Sequence, residues 1–359
     1  MSERVYNFSA GPSVMPESVL IKAGSEITNY RGSGMSVMEM SHRSKVYDGI
    51  FQSVKAGLKE LMKVPDSHEI LLLQGGATAQ FAAIPMNFMN SGSADYAVTG
   101  HFSKKAAAEA GKYGGVNIAW DGSSSGFDRI PEQESLSLSE GAEYFYYCAN
   151  NTIFGTQWQY VPESAAPLVC DMSSEILSKP VDVAKYGLIY AGAQKNMAPA
   201  GLTVVIIDKA LAGRELPITP EIMSYKTLID KDSMLNTPPC WCIYMLGLMC
   251  DWVAEQGGLE AMRELSLQRS SLIYSVLDES RFYTSHARKD NRSLMNITFR
   301  TPSAELDAAF IKGAAERGLV NLKGHKVMGG LRASLYNAMP VEGAAKLAEY
   351  MKEFEVRNV

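Results

Sequence analysis

A lysine set among small residues at the end of an apolar run is the most chemically suggestive feature of the chain: Tyr190-Ala-Gly-Ala-Gln-Lys195-Asn196. Shielded from water, an amine loses part of its preference for the charged form, and the neutral amine attacks carbonyls. Such a lysine could hold an aldehyde cofactor of the pyridoxal-phosphate kind as a Schiff base; the plain alternative is a solvated loop lysine, the ordinary state of this residue type. Asp171 closes the apolar run Leu168-Val169-Cys170. That places it at the carboxyl edge of a neighbouring strand, where open α/β sheets bind ligands. A carboxylate there can pair with a protonated pyridine nitrogen and keep the ring an electron sink, or it can cap the following Met-Ser-Ser-Glu segment. The third feature is Gly75-Gly76-Ala77-Thr78, between an apolar run and a helical pattern. Free N–H groups and the helix dipole at such a turn cradle phosphate, although any tight strand-to-helix turn would accept the glycine pair. It is not GxGxxG, so a dinucleotide fingerprint is absent.

Elements that would position these residues follow from periodicity. Apolar positions recur at helical spacing over residues 17–29 and 47–62, separated by a polar loop, 32–44, that carries His42 and Arg43. Short apolar runs at 69–74, 95–99, 116–120, 144–148, 168–171, 187–191 and 202–207 alternate with helical or loop segments. That alternation predicts an α/β fold with a mostly parallel sheet flanked by helices. The first run, the glycine turn and a helix from Thr78 onward form one strand-to-helix unit. The Ser-rich stretch 121–141 reads as a solvated loop with a short exposed helix. Beyond Gly257-Gly258 the character changes to helix 259–277, run 294–299, helix 303–317, runs 319–323 and 331–336, and helix 341–354. A large cofactor-binding domain over 15–255 and a smaller α+β domain from 1–14 and 256–359 are expected.

The chain has 359 residues, and its 34 Lys and Arg stand against 39 Asp and Glu for a net charge of −5. No basic cluster interrupts this balance, which argues against nucleic acid as a ligand. The apolar run 240–250 stops at Asp251, short of the ~18 residues a bilayer crossing needs, and reads as a buried helix. The N-terminus has charged Glu3 and Arg4 and no apolar signal region, so cytoplasmic residence is expected. Five cysteines, with Cys240-Trp-Cys242 as the nearest pair, make neither a disulfide framework nor a zinc knuckle. His42, His68, His101, His286 and His325 are scattered, so no metal site is expected.

Specific segments carry a resemblance. They are NFSAGPS (7–13), MEMSHRS (38–44), LLLQGGATAQFAAIPMN (71–87), YYCANNTIFGTQW (146–158), DMSSEILSKPVDV (171–183), YAGAQKNMAPAGLTVVII (190–207), LNTPPCWCIYMLG (235–247) and GHKVMGGLRASLYNAMP (324–340). From end to end the chain resembles the phosphoserine aminotransferase family of fold-type I pyridoxal-phosphate enzymes. The resemblance implies reversible transfer of an amino group from glutamate to 3-phosphohydroxypyruvate, giving O-phosphoserine and 2-oxoglutarate. It implies Lys195 as Schiff-base lysine and proton shuttle, Asp171 as partner of the pyridine nitrogen, and Gly76, Ala77 and Thr78 around the cofactor phosphate. Thr152 and Gln194 would also contact the cofactor, and Asn236 and Thr237 would reach its phosphate from the second subunit of a homodimer with shared active sites. Arg332 would grip the substrate α-carboxylate, with His42, Arg43, His325 and Lys326 around the side-chain phosphate or carboxylate.

Two departures accompany this. Phe102 stands where many members stack a tryptophan on the cofactor, and Thr78 and Lys326 stand where some have arginine, so a planar fork is replaced by a hydroxyl and a point charge. A dianionic substrate needs two separated cationic anchors, and Arg43 and Arg332 fall in different expected domains. Taken alone, Arg43 reads equally as a solvated charge and Arg332 as an edge-strand charge. Other classes compatible with the motif set are a lyase or desulfurase of the same fold, which would need a mobile catalytic cysteine, and a non-catalytic cofactor-binding protein, which could dispense with Arg332.

Overall fold

The computed structural model describes residues 4–90 and 92–358. Its centre is a seven-stranded sheet: β1 (His68–Leu73), β2 (Ser93–Val98), β3 (Gly115–Asp121), β4 (Phe145–Cys148), β5 (Leu168–Asp171), β6 (Leu188–Gly192) and β7 (Thr203–Asp208). The spatial order is β1-β7-β6-β5-β4-β2-β3. All neighbours run parallel except β7, which is antiparallel to both β1 and β6. The reversal follows from the short connection after β6: it turns back through the Lys195 loop without a crossover helix, which a parallel return would require.

Both faces of the sheet are covered, which is why its strands read as nearly unbroken apolar runs. Alternate residues serve opposite cores. Ile70, Leu72, Val204 and Ile206 face one side, where α2 (Lys45–Met62) contributes Tyr47, Ile50, Phe51 and Val54, and α6 (Cys240–Glu255) contributes Ile243 and Leu246. Leu71, Leu73, Val205 and Ile207 face the other, against Phe81 and Ile84 of α3 (Gly76–Phe88) and Ala106 and Ala107 of α4 (His101–Ala110). Truncating one of these fully buried residues, Ile206→Ala for instance, costs roughly 2–5 kcal/mol because the packed sheet cannot collapse into the void.

A separate core gathers Phe8 with Ile273, Phe299, Phe310, Leu347 and Phe354. It is built from a three-stranded sheet, β8 (Thr284–Ser285), β9 (Asn296–Arg300) and β10 (Leu331–Ser334), and from α8 (Ala304–Ala315) and α9 (Val341–Asn358). The N-terminal segment joins it, since Tyr6–Asn7 pairs in parallel with Leu319–Val320. Helix α7 (Gly258–Glu279) spans both cores, with Leu259 and Met262 in the larger and Ile273 to Leu277 in the smaller. Its Arg269, 1% exposed, donates to the carbonyls of Asn337 and Met339 at 2.6 and 2.8 Å, fastening the chain that follows β10.

Local differences from the sequence expectation have local causes. Helix α3 begins at Gly76, not Thr78, because the glycine pair itself forms its cap and first turn. The first helix, α1 (Glu17–Glu26), stops three residues short of the expected 17–29. The Ser-rich stretch holds only 3₁₀ turns, Gly122–Ser125 and Gln133–Ser135, as expected where side-chain oxygens compete for backbone N–H groups. Among the described residues no helix is long and apolar enough to cross a membrane, and no group of three or more His, Cys, Asp or Glu is placed to hold a metal ion.

Candidate active site

Parallel strands deliver their carboxyl ends to one edge of the sheet, and the chemistry-bearing residues gather there. Strand β5 ends on Asp171, β6 runs into the Lys195 turn, β1 into Gly75-Gly76, and β2 into the turn before His101 and Phe102 on α4. Lys195 is half-buried, and its Nζ donates to Thr152 Oγ1 at 2.7 Å. The same ammonium lies 5.7 Å from the centroid of the Phe102 ring. Burial pushes the Lys195 pKa below its ordinary value and Arg332 pushes it further, against the attraction of Asp171 and Cys148. The amine is therefore more available in neutral form than a surface lysine.

The turn is braced from the far N-terminus. Ser13 N–H donates to the Gln194 carbonyl at 3.0 Å, and the Ser13 hydroxyl to that of Lys195. Gly11, at φ +140°, passes so close that a Cβ there would lie 3.5 Å from Lys195 Cγ. These braces were not among the residues singled out from sequence, because 182 positions separate Ser13 from Lys195.

Asp171 is buried and both its oxygens are engaged. Oδ1 accepts from the Ser173 N–H at 2.8 Å, and Oδ2 from the Tyr190 hydroxyl at 3.1 Å. A carboxylate only accepts, so Tyr190 must donate to it and Tyr146, 2.8 Å away, must donate to Tyr190. The polarity of this buried chain is thereby fixed toward Asp171. Tyr190 stood in a quoted segment, yet only pairing of β5 with β6 brings it opposite Asp171.

At the glycine turn Gly75 has φ +94° and Gly76 φ +66°. A Cβ on Gly75 would strike Ala79 Cβ at 2.6 Å, whereas one on Gly76 would stand in open space at the mouth of α3. Ala77 is half-buried and Thr78 exposed in the first turn of the helix. Within the same chain Asn236 Nδ2 donates to Gln74 Oε1 at 2.7 Å, and Gln74 Nε2 to the Thr237 carbonyl at 3.2 Å. Asn236 and Thr237 thus adjoin the chain's own turn.

Arg332 lies on β10, an edge strand as its alternative reading supposed, but its guanidinium turns inward and Nη1 donates to the Thr152 carbonyl at 3.2 Å. His325 and Lys326 sit on the loop before β10, which closes tightly: Gly324 N–H donates to Gly330 O at 2.8 Å, and a Cβ on Gly324 would meet Gly329 O at 2.0 Å. His325 Nδ1 accepts from the Val327 N–H at 3.2 Å. Its ring lies 6.0 Å from that of His101, a residue not assigned from sequence. His42 is half-buried and Arg43 exposed just before α2, and within the described residues of one chain no hydrogen bond, ion pair or ring contact joins them to Arg332, His325 or Lys326.

A phosphorylated pyridine aldehyde fits these groups. The glycine turn leaves room where backbone N–H groups converge, Phe102 offers a flat face beside the amine, and two hydrogen bonds leave Asp171 lone pairs to spare.

Residues 5–347 match the family model for class-V aminotransferases. Over 358 residues the chain is 50% identical to a phosphoserine aminotransferase of Bacillus cereus, covering 99% of both chains. The solved phosphoserine aminotransferase from Bacillus circulans subsp. alkalophilus superposes with a TM-score of 0.97 at 42% identity, covering 100% of each chain. A pyridoxal-phosphate-bound phosphoserine aminotransferase from Trichomonas vaginalis gives 0.93 at 39% identity, covering 97% of this chain and 100% of that one. With a fold, a site edge and full-length similarity of this kind, the chain belongs to the class-V aminotransferases and, within them, to the phosphoserine aminotransferase family.

Proposed function

We propose that the protein is a pyridoxal-phosphate-dependent aminotransferase exchanging an amino group between glutamate and 3-phosphohydroxypyruvate, with O-phosphoserine and 2-oxoglutarate as the other pair. One observation carries the reading: a half-buried amine with depressed basicity, Lys195, faces a guanidinium, Arg332, that no carboxylate among the described residues neutralises. When bound, the cofactor supplies the aldehyde that takes up the amino group and the ring that accepts electrons from the substrate's α-carbon.

The chain's own groups do the rest. Gly76, Ala77 and Thr78 would present N–H groups to the cofactor phosphate, Phe102 would offer its face to the ring, and Asp171, steadied by Tyr190 and Ser173, would hold the ring nitrogen protonated. Thr152 and Gln194 add contacts beside the ring, and Thr152 Oγ1 holds the Lys195 amine. That amine would move the proton at the substrate α-carbon. Arg332 orients the α-carboxylate through a bidentate fork. His325 and Lys326, with His42 and Arg43, form the positive surroundings of the distal phosphate or carboxylate.

Within the described residues of one chain no hydrogen bond, ion pair or ring contact joins His42 or Arg43 to the other anchors, which agrees with completion of the pocket by a second copy in a homodimer. Asn236 and Thr237 would belong to that shared surface, carried by the rigid Pro238-Pro239 turn onto α6. The smaller unit, 1–14 with 256–359, is the natural moving part, since it has its own core and carries Arg332. Five free cysteines suit a reducing compartment such as the cytoplasm. The cysteines also weigh against a desulfurase: burial raises the thiol pKa of Cys148, Cys170 and Cys250, and those of Cys240 and Cys242 as well.

Half-reaction spectra test the activity. The visible band of the yellow protein should be lost with glutamate and with O-phosphoserine and kept with aspartate. A band that ignores phosphoserine overturns the proposal.

A further inference from the structure

Beside the anchors named above, the cleft holds a second imidazole. His101 opens α4 on the larger unit, and its ring stands 6.0 Å from that of His325 on the smaller one, tilted by 47°. Its other ring neighbour is Phe102, at 5.5 Å in an edge-on arrangement. Among the described residues no hydrogen bond satisfies either His101 nitrogen. The charged groups facing the pair are all cationic: Lys105 from the same helix, Lys326 from the opposite loop and Arg332 from β10. Such a cluster, without a counter-charge among the described residues, disfavours the charged imidazole and would be completed by an anion. His325 cannot readily take a second proton, because its Nδ1 already accepts from a backbone N–H. His101 has both nitrogens free.

Resting on the aminotransferase reading, we propose that His101, with Lys105 one turn further along α4, is a specificity-determining residue that takes up a proton as the substrate's distal phosphate binds and closes it against His325 and Lys326. Burial first, then Lys105 and Lys326, hold the free His101 below its ordinary pKa. A phosphate dianion reverses the sign of the local field, so the bound complex holds the proton at a higher pH than the free enzyme does. Binding of phosphoserine therefore strengthens as pH falls through the range between the raised pKa of bound His101 and the lowered pKa of the free residue, and the part of it above the second phosphate pKa near ~6 is clear of the ligand's own titration. Glutamate, with a single distal charge, gains less.

The test uses the dimeric holoenzyme, with His101→Gln and, because Lys105 is exposed and its replacement leaves packing alone, Lys105→Gln. KM and kcat are measured for phosphoserine and glutamate from pH 7 to 9, and proton uptake is read by calorimetry in buffers of differing ionisation enthalpy. His101→Gln should raise the phosphoserine KM about tenfold at pH 7, an effect of one charge-assisted hydrogen bond, with a smaller rise for glutamate. Proton uptake should vanish and the phosphoserine KM should lose its pH slope; Lys105→Gln should raise the same KM about threefold while keeping uptake. Equal losses on both substrates, or uptake unchanged in His101→Gln, overturn the proposal. A wild-type protein that ignores phosphoserine overturns the aminotransferase reading instead.

Discussion

Two adjacent glycines at the proposed phosphate cradle should fail in opposite ways when each is replaced by alanine. Gly75 sits at φ +94°, outside the left-handed well that L residues tolerate best, and its new methyl would meet Ala79 Cβ at 2.6 Å. Backbone strain of about 1–3 kcal/mol then adds to overpacking of about 1–3 kcal/mol, because the obstacle is a Cβ fixed on the next helical turn. Roughly 4 kcal/mol of apoprotein stability should go. Gly76 sits at φ +66° with nothing within 4 Å of its added methyl. Its apoprotein should lose only about 1–2 kcal/mol, the cost of a left-handed L residue. The methyl would, however, stand in the space where the α3 N–H groups converge, so cofactor affinity should fall at least tenfold, a loss of about 1.4 kcal/mol or more. Urea unfolding of the two apoproteins and fluorescence titration with pyridoxal phosphate separate the quantities. If Gly76→Ala destabilises the apoprotein as much as Gly75→Ala, or binds cofactor like the wild type, the placement of the cradle at this turn is wrong.

Other perturbations address the remaining parts of the site. Tyr190→Phe and Tyr146→Phe should each cost about 1–3 kcal/mol in stability, and the double variant less than their sum, because they break one chain of hydrogen bonds; strict additivity in the double-mutant cycle would refute the fixed donor order toward Asp171. Lys195 has a lowered folded pKa, so the unfolded chain binds more protons from that value up to about 10.4, and apoprotein stability should rise with pH across this window. Lys195→Met should flatten that rise, and an unchanged slope in denaturation at pH 8 to 10 would contradict the burial of a neutral amine. Mixing Lys195→Ala subunits with Asn236→Ala, Thr237→Ala subunits should restore part of the activity, since a shared-site hybrid keeps one intact pocket; no recovery despite proven hybrids speaks against sharing.

Legibility of the fold from sequence followed burial. Strand β5 coincides with the apolar run 168–171, and the other sheet strands fall within a residue or two of theirs, because all but the edge strand β3 are buried on both faces and few polar residues interrupt them. Helix α4 left no such trace: its buried positions are Ser103, Ala106, Ala107 and Ala110, too small to mark an apolar face. That is why His101, counted among the scattered histidines and standing one residue before Phe102, is given no role in the site by sequence alone. The Ser13 brace was hidden for a different reason, since neither its type nor its spacing hints at contact with Lys195. Hydrogen bonds between distant backbone segments have no local sequence signature.

The alternatives that sequence left open at Asp171 and Arg332 were not exclusive. Asp171 does cap the next segment through the Ser173 N–H, and Arg332 does occupy an edge strand. A carboxylate has about four acceptor sites, so a cap and a tyrosine hydroxyl still leave capacity for a ring nitrogen. A guanidinium has five donors, and one bond to the Thr152 carbonyl fixes its direction while leaving a free fork. In both cases the bland contact is what orients the side chain. The structural role therefore supports the chemical one: removing the cap at Asp171 or the carbonyl anchor at Arg332 would leave the charge in place and lose its aim, a loss that at a site assembled from two units would fall on kcat as much as on KM.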